Sequence, residues 1–427
     1  MLRRSFGLAA VLCTLVAAPS CGSDESVAPA PQSSGEEAGA DAATQPDGGE
    51  EASAESGGHD APTSATFTLE KSFTVTSVTS GHLAFPDVTR LSDGRLLLVY
   101  RQGASHVDKT GRIMKQFGTA DGLTWTDPEV LYDAPNIDDR DPSVAMLSNG
   151  DVLVTYFQYR QLPLADGTLA VHHCFAGRSH DDGATFGTFV QVDPGDMNPT
   201  DAVLDASGHW VDGSGNPIIV QGCSSAVVEW QGKVVLPTYG GQSLNLANLA
   251  GSAKSRISRY ESTDWGDTWT GGVVAADKAT DHWLEEPALV VVDDGSVLMQ
   301  VRTALGASPS NAGKMMQMHW DSVAGDWSDV TYLPFVGHAP ELVQLSDGVV
   351  LSGFRELDDA MTREWVSFVY SLDRGATWSD PIRVKDCAAV ECGYPAIEDL
   401  GAGRFLFVYY APGGVAIDAA IFRVELS

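Results

Sequence analysis

Residues 371–378 read SLDRGATW, residues 262–269 STDWGDTW, and residues 179–186 SHDDGATF. One pattern underlies all three: Ser, Asp two positions on, Gly two after that, then Thr and an aromatic ring after one more residue. Such a string makes a hairpin turn. The Asp carboxylate accepts turn N–H groups, the glycine takes a positive φ, and the ring packs between sheets. A degenerate copy at 118–125, GTADGLTW, keeps Gly122, Thr124 and Trp125, and Trp327 marks another. These turns are expected to hold sheets together, not to do chemistry.

A second repeat lies between them. Six times an apolar strand, a turn with Gly and another apolar strand follow one another. The turns are Asp93-Gly94, Asn149-Gly150, Gln231-Gly232, Asp294-Gly295, Asp347-Gly348 and Ala402-Gly403. Asp-Gly and Asn-Gly suit the type I′ hairpin. The downstream strands, such as RLLLVY and RFLFVY, are nearly continuous apolar runs. That fits strands covered on both faces. Six turns over residues 66–427 give about 60 residues per unit, a propeller blade with elaborated loops. The expectation is an all-β, six-bladed β-propeller of four-stranded antiparallel blades. Phe67 to Val78 should pair with strands near the C-terminus and close the ring. Residues 187–226 exceed what a blade needs and read as an inserted loop.

The start of the chain reads differently. Arg3 and Arg4 precede an apolar stretch from Phe6 to Ala18, as in an export signal. It ends in Ala-Pro-Ser-Cys, which resembles a bacterial lipobox with Cys21 as the lipidated residue. Residues 22–65 hold ten acids and no Lys or Arg, the composition of a solvated tether. The expected organisation is a signal at 1–20, a tether at 21–65 and the propeller at 66–427. The protein is then exported and lipid-anchored at the bacterial cell envelope, at the outer membrane or cell surface. A formal charge of −31 argues against a nucleic-acid partner. Cys174, Cys223, Cys387 and Cys392 suggest two disulfides, and local pairing, Cys387–Cys392 and Cys174–Cys223, is favoured among three connectivities.

The turns and the six units together resemble the bacterial sialidases, whose Asp-box (BNR) repeats form such a propeller. Family members hold the sugar carboxylate with three Arg, attack with a Tyr assisted by a Glu, and use an Asp as acid/base. A neutral phenol is not repelled by an anionic sugar, but its ordinary pKa of about 10 demands a neighbouring base. The resemblance implies Tyr394, in CGYPAI, as nucleophile and Glu286, in EEPALVV, as its base. It implies Arg302 and Arg363 on the carboxylate, with Arg355 competing for the latter place. Asp108 is the implied acid/base, with His106 as an alternative donor.

One feature departs from the family. Where sialidases begin with Arg-Ile-Pro, this chain has Ala84-Phe85-Pro86, so the first Arg is missing. Arg101 or Arg140 could reach inward instead, and Asp87 could bind a sugar hydroxyl. The resemblance thus implies a retaining exo-glycosidase taking sialic acid or a related acidic sugar from glycans. It implies a monomer without cofactor or metal. The rivals are a glycosidase or lyase of this fold acting on a different sugar, and a non-catalytic surface lectin.

Overall fold

The computed structural model describes residues 62–243, 255–276, 284–303 and 313–427. The leader, Cys21 and the acidic segment through residue 61 lie outside the described residues. The rest is a β-propeller of antiparallel meanders. His82–Arg90, Leu96–Gly103, Arg112–Gly118 and Glu129–Tyr132 make the first sheet. Asp138–Met146, Val152–Leu164, Gly167–Ser179 and Val190–Gln191 make the second. In the third, the first strand is split into Ile219–Gly222 and Val228–Trp230, both paired with Lys233–Gln242. The next two meanders share one sheet, because Thr331–Gln344 ends one with its first half and begins the other with its second.

Gly393–Gly401, Arg404–Tyr410 and Ala416–Leu426 make the last sheet, and Ala65–Ser77 supplies its fourth strand. This pairing of the first strand with the last is the closure expected from Phe67 to Val78, and it leaves fewer open edges. All six turn glycines join the first strand of a meander to its second. The boxes join the third strand to the fourth, at the same rim.

Each full box closes in the same way. Asp181, Asp264 and Asp373 accept the backbone N–H of Thr185, Thr268 and Thr377 at 2.8, 2.9 and 2.8 Å. The same carboxylates accept the Thr hydroxyls. The box glycine presses on the preceding meander. A Cβ on Gly183, Gly266 or Gly375 would lie 2.6–2.7 Å from Leu97, Leu153 or Leu298. Gly122, in the degenerate copy, faces Leu406 of the last sheet at 3.4 Å, so the same contact joins first meander to last. Each of these leucines stands three residues after a turn glycine.

Residues 187–226 contain the small hairpin Val203–Leu204 and Trp210–Val211, with Trp210 buried against Leu169 and Val171. Cys387 and Cys392 are disulfide-bonded. Cys174 and Cys223 are free, buried thiols of one core cluster, which corrects the second expected bridge. The Cys174 thiol instead donates to the Gln221 carbonyl at 3.5 Å.

Candidate active site

The site is built at fixed distances from the turn glycines. Eight residues before each stands Pro86, Pro142, Pro287, Pro340 or Pro395; only the third meander differs, with Ser224. The register slips at all five prolines, between Ala84/Asp87, Arg140/Ser143, Glu285/Ala288, His338/Glu341 and Gly393/Ala396. Proline cannot donate to the ladder, so each pair bulges. The residue ahead of each proline takes a positive φ: Phe85 55°, Asp141 46°, Glu286 50°, Ala339 49° and Tyr394 47°. Non-glycine residues there cost on the order of 1–3 kcal/mol and cluster at functional sites. Phe85, Asp141, Ala339 and Tyr394 line one cavity, together with Asp87, Ser224 and Glu341.

A second ring stands seven residues after the turn glycines: Arg101, Phe157, Tyr239, Arg302, Arg355 and Tyr410. These face the residues just before the bulges. Arg302 opposes Glu285, Arg355 opposes His338, and Arg101 opposes Ala84.

The two rings bring Tyr394, Glu286 and Arg302 together. The Tyr394 hydroxyl donates to Glu286 Oε1. Arg302 Nη1 donates to that same oxygen at 2.7 Å, and the Ala339 N–H donates to Oε2 at 2.8 Å. Burial, then the Glu286 and Asp141 carboxylates, push the Tyr394 phenol well above its ordinary pKa, so it is neutral. Burial alone would lower the pKa of Arg302; Glu286 and Glu285 outweigh it and hold it high. Phe85 meets the Tyr394 ring at 4.7 Å, and the Arg355 guanidinium lies 5.2 Å from its centre.

Asp141 joins this cluster. It is 4% exposed, and its Oδ1 has no hydrogen-bond partner. Burial lifts its carboxyl to about 7 against the pull of Arg140, and Glu286 adds to the rise. Sequence reasoning missed Asp141, although its place before Pro142 matches that of Glu286 before Pro287.

Other expected residues stand elsewhere. Arg363 is exposed and paired with Asp386, away from the cluster; Arg355 occupies the ring position. Arg101 is fully buried, donating to Asp138 at 2.7 Å and to the Ser105 carbonyl at 2.9 Å, so it braces the loop instead of reaching inward. Asp108 accepts the backbone N–H and hydroxyl of Thr110 at 2.8 and 2.6 Å, which holds its pKa below the usual carboxylate value. Asp87 accepts the N–H groups of Val88 and Val144, both at 2.7 Å, tying the first two inner strands together. Arg140 is at the cluster, donating to the His106 carbonyl at 2.6 Å and to Asp138 at 3.1 Å.

Glu391 also went unnoticed. Its loop is closed by Cys387–Cys392, and its Oε1 lies 3.0 Å from His106 Nδ1 and 3.0 Å from the Tyr410 hydroxyl. Burial opposes it, yet His106, Arg355 and Tyr410 hold its pKa at about 2. Among the described residues, His82, His106 and Glu391 offer three ligand atoms within 4.8 Å of one another, a possible metal donor set. Arg355 Nη2, 3.6 Å from Glu391, and Arg140 Nη2, 3.4 Å from His106 Nε2, oppose a divalent ion there.

Known structures share this fold. A Dyadobacter fermentans protein of unknown function matches with a TM-score of 0.67 at 20% identity, over 84% of this chain and 99% of that one. The Hadza microbial sialidase Hz136 matches at 0.57 and 16%, over 81% and 66%. An α-L-arabinanase from Penicillium chrysogenum, complexed with arabinobiose, matches at 0.56 and 11%, over 83% and 98%. No protein-family model matches the chain, and no curated protein does. Identities this low carry the fold and not the reaction.

Proposed function

We propose that this protein is a retaining glycoside hydrolase whose reacting groups are Tyr394, Glu286 and Asp141. The observation that carries the reading is the Tyr394 hydroxyl bonded to Glu286, itself fixed by Arg302 and the Ala339 N–H. Tyr394 attacks the anomeric carbon while Glu286 takes the phenolic proton. Asp141, carrying its proton near neutral pH, gives it to the departing oxygen, then accepts one from the water that releases the sugar. Asp108 is set aside because its carboxylate is committed to Thr110. The propeller glycosidases among the similar structures support a glycan substrate.

Export and lipidation at Cys21 belong to the same proposal; incorporation of a labelled fatty acid, absent in Cys21→Ser, tests them. The reaction is tested with the full chain on a panel of fluorogenic glycosides, beside Tyr394→Phe. Turnover that disappears with the phenol supports the mechanism. Turnover that persists places the nucleophile elsewhere. Glycan binding without turnover by the wild type makes the protein a lectin.

A further inference from the structure

The resemblance to sialidases implies guanidinium groups free to take a sugar carboxylate. In this site the guanidiniums already have carboxylates of their own. Arg302 is 2.7 Å from Glu286 and 3.4 Å from Glu285. Arg355 is 3.7 Å from Glu364 and 3.6 Å from Glu391. Arg140 is 3.1 Å from Asp138 and 4.0 Å from Asp141. Arg101 is walled in on Asp138, and Ala84 stands where the remaining arginine of a carboxylate clamp would be. Four guanidiniums thus meet five carboxylates, with Asp141, the proposed proton-carrying acid, a sixth carboxyl beside Arg140.

We infer that the sugar taken by this site carries no negative charge where it meets Arg302, Arg355 and Arg140. The inference rests on the glycosidase reading of the Tyr394–Glu286 pair and narrows its substrate class.

Glu391 is the decisive group. It is a protein carboxylate set beside Arg355, where an acidic ligand would have to place its own. It cannot swing aside easily. The Cys387–Cys392 bridge closes its loop, the Gly413 N–H donates to its backbone carbonyl at 2.8 Å, and Tyr410 and His106 hold its Oε1. Its side chain is still 36% exposed, so an arriving anion would meet its charge directly, with a repulsion that water partly screens. For an uncharged sugar the same groups are useful. Carboxylates accept sugar hydroxyl hydrogens, and Phe85 and Tyr394, which line the cavity, offer aromatic rings to the C–H side of a pyranose or furanose. A phenol nucleophile works on either class, so Tyr394 does not demand an anionic substrate.

The test compares fluorogenic N-acetylneuraminide and glucuronide with fluorogenic arabinofuranoside, galactoside and N-acetylglucosaminide, using the full chain. Calorimetric binding of the corresponding free sugars is measured alongside. The expected result is kcat/KM for an uncharged glycoside at least about a hundredfold above both acidic ones, a difference of two like-charge contacts. Faster cleavage of an acidic glycoside, abolished in Tyr394→Phe, overturns the inference and leaves the glycosidase reading standing. Binding of an uncharged sugar without turnover sinks the glycosidase reading and upholds the inference. Failure to bind or cleave any uncharged glycan overturns it. Glu391→Gln, checked for folding by its melting curve, should gain about tenfold in affinity for N-acetylneuraminate as Arg355 is released. No gain in that folded variant counts against Glu391 as the excluding charge.

Discussion

The two ends of the same strands follow different rules. At the turn rim, position and residue are both repeated. Asp181, Asp264 and Asp373 make the same bonds, and Gly183, Gly266 and Gly375 press on the same leucine place in the neighbouring meander. Toward the cavity, only position is repeated. The bulge before proline presents Phe85, Asp141, Glu286, Ala339 and Tyr394 in turn. The turn rim needs one contact made many times, because it closes a ring. The cavity gathers several different groups at one focus, as the proposed reaction, with its acid, base and nucleophile, requires. Positive-φ residues occur at both ends: Asp182, Trp265, Arg374, Gln231 and Ala402 lie in the turns of the rim, whereas the five before proline carry their strain to the cavity.

If this division is right, changes at the two ends should separate activity from stability. Glu286→Gln is the strongest case. It keeps the shape and removes the base, so kcat should fall about a thousandfold, or about 4 kcal/mol in barrier, while the melting temperature moves little. A large fall in both would mean that Glu286 braces the ring as well. Gly266→Ala is the converse. Its Cβ would lie 2.7 Å from Leu153 at φ 98°, so about 2–4 kcal/mol of stability should go, seen in denaturant unfolding. The folded fraction should keep its full turnover. Gly122→Ala, with Leu406 at 3.4 Å and φ 72°, should lose only about 1 kcal/mol, the backbone cost alone.

Asp141 sharpens the comparison by pH. Its folded pKa, about 7, lies above the ordinary 3.8. As the proposed acid it works protonated, so turnover should fall as pH rises through about 7. The folded state also holds a proton that the unfolded chain releases between about 4 and 7, so stability declines as pH rises through that window. Asp141→Asn should lose about a hundredfold in turnover, remove that limb of the rate profile and flatten the stability decline. An unchanged limb would assign the acid to another group, and Asp108 or His106 would return as candidates.

How much of this could be read in the sequence follows from the same division. The boxes and turn repeats are legible because identity repeats with them. The closing strand is legible because Phe67 to Val78 is apolar and has no partner nearby in the chain. Tyr394 and Glu286 are legible through resemblance, and their prolines show why they converge. Asp141 is harder, since DDRDPSV offers three acids and only the proline offset singles one out. The position of Arg101 is legible but its fate is not, because Asp138 comes from the next meander and the loop after Arg101 folds back so that the Ser105 carbonyl meets its guanidinium. The free Cys174 and Cys223 show the same limit, because even number and export context say nothing of side-chain geometry.

The smallest effect belongs to Arg363, and it tests position against residue type most directly. Counting eight residues back from Ser371 leads along the third strand, away from the axis, to an exposed ion pair with Asp386. Counting seven forward from Gly348 leads along the second strand to Arg355, 5.2 Å from the Tyr394 ring centre. Exposed pairs contribute about 0–1 kcal/mol. Arg363→Ala should therefore leave kcat/KM within about twofold of the wild type, because it removes only a surface contact. Arg355→Ala, which leaves Glu391 and Glu364 without their cation, should cost at least about thirtyfold in kcat/KM. The opposite ranking would mean that distance from the box, not distance from the turn glycine, sets which arginine serves the cavity.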